Sequence, residues 1–215
     1  MKLFLDTASM EDIATRYETG LIAGITTNPT LVKKSGVDYH GFIATCCEAF
    51  PELESVSAEV SGETADEMIA EAETYIPMGP AVTIKVPLNR EGLIACKRLR
   101  ERDIKVNVTL CFATDQAILT GLAGATYISP FVGRMDDNLF GGIDLIRSIS
   151  HLYQTNGVKT QILSASIRDS ASVAQSFLNG ADVCTIPAKV FDKMYTNVLT
   201  DAGLNIFNED FKQIK

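Results

Sequence analysis

Lys85 is the residue of this sequence most open to chemistry. It interrupts the apolar run Val82-Thr83-Ile84-Lys85-Val86, in which Val82, Ile84 and Val86 alternate with Thr83 and Lys85. Successive side chains of a strand point to opposite faces, so a strand here presents its apolar residues on one face and the lysine on the other. With the apolar face packed against helices, Thr83 and Lys85 must point inward, where a lysine is costly unless it is paired or neutral. An ordinary lysine titrates near pH 10.4, which leaves almost no free amine at neutral pH. Burial favours the uncharged form, and a neutral amine can attack a carbonyl and form a Schiff base. The plainer alternative is a lysine that reaches past the strand end into water.

Other residues fit the same chemistry. Asn107 and Ser129 follow Lys85 at equal intervals of 22 residues, about one strand–helix unit, which predicts similar levels on three consecutive strands. Asp6, Glu59 and Thr109 supply the acids and hydroxyl that a Schiff-base reaction needs for its proton transfers. Thr26 and Asn28 stand at another strand end, although a helix cap accounts for Asn28 by itself. Arg134, Arg168 and the nearby Ser166 offer guanidinium forks and a hydroxyl suited to a phosphate. Solvated surface arginines are the competing reading.

The elements that must carry these residues alternate along the chain. Strands are predicted at Lys2–Leu5, Gly24–Thr27, Val56–Val60, Val82–Val86, Val106–Leu110, Thr126–Val132, Gln161–Ala165 and Val183–Ile186. At least eight helical patterns separate and follow them. Ser9 with Asp12, and Thr64 with Glu67, have the spacing of helix caps; Asn28-Pro29 reads as a cap with proline at the first helical position; Thr114 reads as the cap of another helix. Alternating strands and helices imply a parallel sheet, and eight units can close into an α/β (β/α)8 TIM barrel. An open doubly wound sheet is the runner-up, weakened because no GxGxxG follows the first strand. The chain reads as one domain over 1–215, with an extra C-terminal helix at about 201–215. In a barrel of this kind the active site lies at the carboxyl ends of the strands, where the candidates above fall.

Composition narrows the function further. Hydrophobic residues make up 46% of the 215 residues, which fits a packed globular chain and excludes disorder. No apolar run approaches the roughly 18 residues of a membrane helix, and the early Asp6 breaks any signal-peptide core, so no membrane role is expected. A formal net charge of −8 argues against nucleic-acid binding while leaving room for a local cationic pocket. The five cysteines are odd in number and contain no CxxC pair, which points to free thiols in a reducing cytoplasm. The two histidines, His40 and His151, are far apart and give little support to a metal site.

Taken together, the motifs resemble the transaldolase family, in its short branch that includes the fructose-6-phosphate aldolases. The resemblance runs through Phe4-Leu5-Asp6-Thr7-Ala8, Gly24-Ile25-Thr26-Thr27-Asn28-Pro29-Thr30-Leu31, Ile84-Lys85-Val86-Pro87, Asn107-Val108-Thr109-Leu110, Ser129-Pro130-Phe131-Val132-Gly133-Arg134 and Ala165-Ser166-Ile167-Arg168. It implies a class I mechanism without metal or cofactor, acting on phosphorylated sugars. Lys85 would form the Schiff base, Asp6 would move the proton of the donor's C4 hydroxyl, and Glu59 and Thr109 would shuttle protons through a water. Asn28, Asn107 and Ser129 would hold the dihydroxyacetone hydroxyls, with Thr26 in support, and Arg134, Ser166 and Arg168 would bind the phosphate.

Within that family, glutamate and phenylalanine at the positions of Glu59 and Phe131 mark transaldolases, whereas aldolases carry glutamine and tyrosine. A phenylalanine wall keeps the site drier, so an enamine would persist until an acceptor arrives. The expected reaction transfers a dihydroxyacetone unit from sedoheptulose 7-phosphate to glyceraldehyde 3-phosphate, in the pentose phosphate pathway. Fructose-6-phosphate aldolase is the nearest alternative, and a non-catalytic sugar-phosphate-binding barrel is the alternative of another class. The resemblance also implies a homo-oligomer, a pentamer or decamer. The spacing of Leu204, Phe207, Phe211 and Ile214 fits a tail that reaches a neighbour, and equally one folded on its own barrel.

Overall fold

The computed structural model describes residues 1–214. Eight parallel strands close into a barrel in chain order: β1 (Lys2–Asp6), β2 (Ile22–Thr26), β3 (Ser55–Glu59), β4 (Val82–Pro87), β5 (Lys105–Cys111), β6 (Tyr127–Pro130), β7 (Gln161–Ser164) and β8 (Val183–Ile186), with β1 also paired to β8. Closure leaves no sheet edge. The helices around it are α1 (Met10–Tyr17), α2 (Pro29–Ser35), α3 (Tyr39–Ala49), α4 (Ala65–Tyr75), α5 (Arg90–Arg100), α6 (Thr114–Leu122), α7 (Val132–Asp137), α8 (Gly142–Asn156), α9 (Ser170–Leu178), α10 (Ala188–Lys193) and α11 (Val198–Ile214).

Alternation along each strand divides two apolar layers. Outward residues such as Ile25, Val56, Ile84, Val108 and Ile128 pack under the helices. Inward residues Phe4, Tyr127, Leu163 and Val183 fill one side of the barrel interior, with the rings of Phe4 and Tyr127 edge to face at 5.8 Å. Gly24 on β2 leaves room for Phe4, since a Cβ there would lie 2.8 Å from its ring. Across the interior, β3 and β4 contribute hydroxyls instead. Ser55 and Thr83 are fully buried and their side-chain oxygens lie 2.8 Å apart. The interior is therefore apolar on one flank and polar on the flank that carries Lys85.

Several caps form as the sequence predicts. Ser9 accepts from the Asp12 amide, Asn28 from the Leu31 amide, and Thr64 forms a reciprocal box with Glu67. Two expectations need correction, and one open alternative is decided. The sixth strand ends at Pro130 rather than Val132, and Phe131 makes only an isolated bridge to Ala165. Val132 instead opens α7, so Arg134 sits on a helix. Thr114 does not cap α6: it is the first helical residue, and the Gln116 side chain accepts the Phe112 and Ala113 amides in its place. The tail does not fold onto its own barrel; α11 buries none of its residues, and Leu204, Phe207, Phe211 and Ile214 are all exposed. All five cysteines are free thiols, and burial pushes those of Cys46, Cys96, Cys111 and Cys184 up to about 12, which keeps them protonated.

Candidate active site

The polar ends of the strands converge on one cavity of about 100 Å³ at the carboxyl end of the barrel. It is lined by Asp6 and Thr26 from β1 and β2, Lys85 from β4, Asn107 and Thr109 from β5, Ser129 from β6 and Thr185 from β8, with Asn28, Phe131, Arg134, Ala165 and Ser166 from the loops and helices above. Of the residues singled out in the sequence, only Glu59 and Arg168 fall outside this lining.

Lys85 points inward, as the strand pattern predicts, and is only 6% exposed. Its Nζ donates to the Thr27 carbonyl at 3.0 Å and lies 3.0 Å from Glu59 Oε2. The second contact is an ion pair by distance, too bent to serve as a hydrogen bond for that oxygen. Strand register explains the pairing, because Glu59 and Lys85 are Cα partners on β3 and β4. The Tyr39 hydroxyl accepts the Glu59 backbone amide at 2.6 Å and so fixes the end of β3.

Lys85 and Asn107 are also Cα partners, but the Cα partner of Asn107 is Tyr127, two residues short of Ser129. The side chains meet nonetheless: Ser129 Oγ donates to Asn107 Oδ1 at 2.7 Å. The strands of a closed barrel tilt against its axis, so side-chain neighbours shift by two residues from the Cα register. Asn107 Nδ2 and Thr109 Oγ1 are buried without hydrogen-bond partners among the described residues. Buried polar groups are usually satisfied, so these two are free to bind hydroxyls of a ligand.

Asp6 is held by a relay. Thr26 Oγ1 donates to Asp6 Oδ1 at 2.9 Å and lies 2.6 Å from Thr185 Oγ1. A hydroxyl has one proton, so Thr185 must donate to Thr26. Thr185 was not singled out as a site residue; its inward position on β8 was the available signal. Burial raises the Asp6 carboxyl above its ordinary value, outweighing the Lys85 charge and the Thr26 bond, while the Glu59 charge adds to the rise. The folded chain therefore holds this proton more tightly than the unfolded one. Its contribution favours folding below the unfolded pKa of about 3.9 and is lost as pH rises through the folded value. Asp6→Asn is expected to melt at a higher temperature than the parent at neutral pH, with the difference vanishing below about pH 4. Thermal melts across that range check this, and a variant less stable than the parent at neutral pH would contradict it.

The cationic end lies above β6 and β7. The Arg134 guanidinium stacks over the Phe131 ring at 4.8 Å, and that ring packs on Phe112. Ser166 adopts a left-handed φ of 61°, a conformation that costs a non-glycine residue on the order of 1 kcal/mol or more and recurs at ligand-binding sites. Gly133 permits the close approach of this segment, since a Cβ there would stand 2.0 Å from the Ser166 carbonyl. Arg168 is turned to Asp137, to which both of its terminal nitrogens donate.

Comparisons with known proteins agree over nearly the whole chain. The family model described as Transaldolase/Fructose-6-phosphate aldolase matches residues 3–215. A probable transaldolase of Caulobacter vibrioides is 49% identical over 211 residues, covering 98% of this chain and 96% of that protein. Probable transaldolase 2 of Bacillus anthracis is 45% identical over 216 residues, covering 98% and 97%. Among solved structures, a 3-hexulose-6-phosphate synthase superposes with a TM-score of 0.65 at 18% identity, covering 89% of this chain and 92% of that one, and is similar in fold alone.

Proposed function

The chain belongs to the transaldolase/fructose-6-phosphate aldolase family, and from that premise we propose how this transaldolase-type enzyme works: it carries a dihydroxyacetone unit between sugar phosphates as a Schiff base on Lys85. The observation that carries the proposal is the buried Lys85 amine, open to the cavity and 3.0 Å from Glu59. Transfer of a proton from the ammonium to Glu59, relayed by a water, gives an amine and a carboxylic acid side by side. The amine attacks the C2 carbonyl of the ketose to form a carbinolamine. Glu59, with Thr109, returns the proton to the departing hydroxyl as water leaves and the iminium forms.

Asp6 then takes the proton of the C4 hydroxyl. The C3–C4 bond breaks, its electron pair passes toward the iminium, and an aldose phosphate departs from the resulting enamine. The raised affinity of Asp6 for a proton suits it to this step, and the Thr185–Thr26 relay fixes its orientation. An acceptor aldehyde adds to the enamine carbon, Asp6 protonates the new alkoxide, and water releases the product from Lys85. Asn28, Asn107 and Ser129 hold the hydroxyls of the three-carbon unit. Arg134, Ser166 and Arg168 hold the phosphate.

Phe131 lines the cavity and offers no proton to the enamine, which supports transfer to an aldehyde over release of free dihydroxyacetone. The substrates on this reading are sedoheptulose 7-phosphate and glyceraldehyde 3-phosphate, giving erythrose 4-phosphate and fructose 6-phosphate. Purified protein given fructose 6-phosphate alone should release glyceraldehyde 3-phosphate slowly. Added erythrose 4-phosphate should accelerate release by on the order of tenfold or more, since it consumes the waiting enamine. Equal rates with and without acceptor would identify an aldolase instead.

The proposal extends to a homo-oligomer, because a helix with seven exposed large apolar residues and no buried ones leaves a face that a second copy can cover. Among the described residues no helix is long and apolar enough to cross a membrane, and a cytoplasmic location completes the reading, with residues 1–215 acting as one domain.

A further inference from the structure

We propose that Asp137 is a positioning residue for phosphate recognition: it holds Arg168 by the end of its guanidinium so that the remaining edge stays turned toward the phosphate. This inference rests on the sugar-phosphate reading above and assigns a role to a residue outside the cavity lining. Arg168 Nη1 donates to Asp137 Oδ1 at 2.6 Å and Nη2 donates to Asp137 Oδ2, a two-pronged contact with both carboxylate oxygens. A guanidinium has five N–H groups. An end-on carboxylate uses one hydrogen from each terminal nitrogen and leaves the Nε–H edge to a second anion.

The nitrogen of that edge lies beside Ser166. A Cβ built on Gly133 would lie 3.0 Å from Arg168 Nε and 3.1 Å from Ser166 Oγ, so Nε and the hydroxyl flank the same point of the α7 backbone. Ser166 in turn lines the cavity beside Arg134. Arg134 and Asp137 are three residues apart on α7, a spacing that places them on one helical face. A single short helix therefore presents one arginine directly and orients the other through its carboxylate. No other side-chain partner of Asp137 or Arg168 occurs among the described residues. Both side chains are about half exposed, so the pair adds little to stability and its value lies in direction.

Kinetics of Asp137→Asn and Asp137→Glu test this. In Asp137→Asn the KM for glyceraldehyde 3-phosphate and the inhibition constant of inorganic phosphate should rise together, by about three- to tenfold. The KM for unphosphorylated glyceraldehyde should stay put, and kcat should move less than KM. Asp137→Glu should recover most of the loss. In an Arg168→Lys background, which lacks the fork, Asp137→Asn should add no further effect. Unchanged constants, equal changes with both aldehydes, or a lower KM (a carboxylate that competes with phosphate) would each overturn the proposal. Failure of the broader reading looks different: the parent protein would then show no turnover of sugar phosphates at all.

Discussion

Lys85→Ala should lose transferase activity by on the order of 10⁴–10⁶-fold, the scale seen when a covalent nucleophile is removed, and should form no covalent adduct with a ketose phosphate. Binding of inorganic phosphate at the cationic end should remain within about twofold, because Lys85 stands on β4 and the arginines and Ser166 follow β6 and β7. The substitution also strips Glu59 of its cation. Leaving a part-buried carboxylate alone is unfavourable, so some loss of stability accompanies it. Lys85→Met keeps more of the apolar stem in place and guards against a loss that is merely structural. Turnover above a hundredth of the parental rate in a folded Lys85→Met protein would exclude the Schiff base.

Glu59→Gln carries the second-largest effect. Glutamine keeps the shape of the side chain and its hydrogen-bonding oxygen but cannot accept the lysine's proton. Formation and hydrolysis of the Schiff base should slow by about 10²–10³-fold, as expected for loss of a positioned general base. Phosphate binding should be nearly untouched, because Glu59 does not line the cavity and exchanges protons with the reacting groups beside Lys85 through a water. Single-turnover measurement of adduct formation isolates the step. A variant that forms adduct at the parental rate would transfer the proton-shuttle role to another group, with Thr109 and Asp6 the nearest candidates.

Much of this arrangement was legible in the sequence because two periods govern it. The alternation of side chains along Val82–Val86 put Lys85 opposite the apolar residues, and the repeating strand–helix unit put Asn107 and Ser129 in the same end of the barrel. Both periods are local, so they survive into the fold. The parts that were missed depend on geometry that no local pattern carries. The two-residue stagger that brings Ser129 rather than Tyr127 to Asn107 arises from strand tilt in a closed barrel. The six-residue α7 is too short to show helical periodicity, and the apolar Phe131-Val132 pair continues the β-forming run before it, so the segment reads as strand. The Thr27 carbonyl that receives Lys85 is main chain, invisible to any reading of residue types. Arg168 was placed at the phosphate by its own position, while the carboxylate that turns it, Asp137, lies 31 residues earlier.

The polarity of the interior also shows how the site is maintained. One flank of the barrel is filled by Phe4, Tyr127, Leu163 and Val183, and hydroxyls and charges are buried on the other. The raised Asp6 carboxyl is a local cost of burying an acid in this cavity. The relay from Thr185 through Thr26 orients it, and Ser166, one of four non-glycine residues with a left-handed backbone among those described, lines the same cavity.

The most direct test of the account is borohydride reduction of the protein in the presence of fructose 6-phosphate, followed by mass mapping of its peptides. A Schiff base on Lys85 gives a stable added mass on the peptide containing Lys85, absent without sugar and absent from Lys85→Ala. An unmodified Lys85 peptide in a protein that still turns over the sugar, or the added mass on a different lysine, would contradict it.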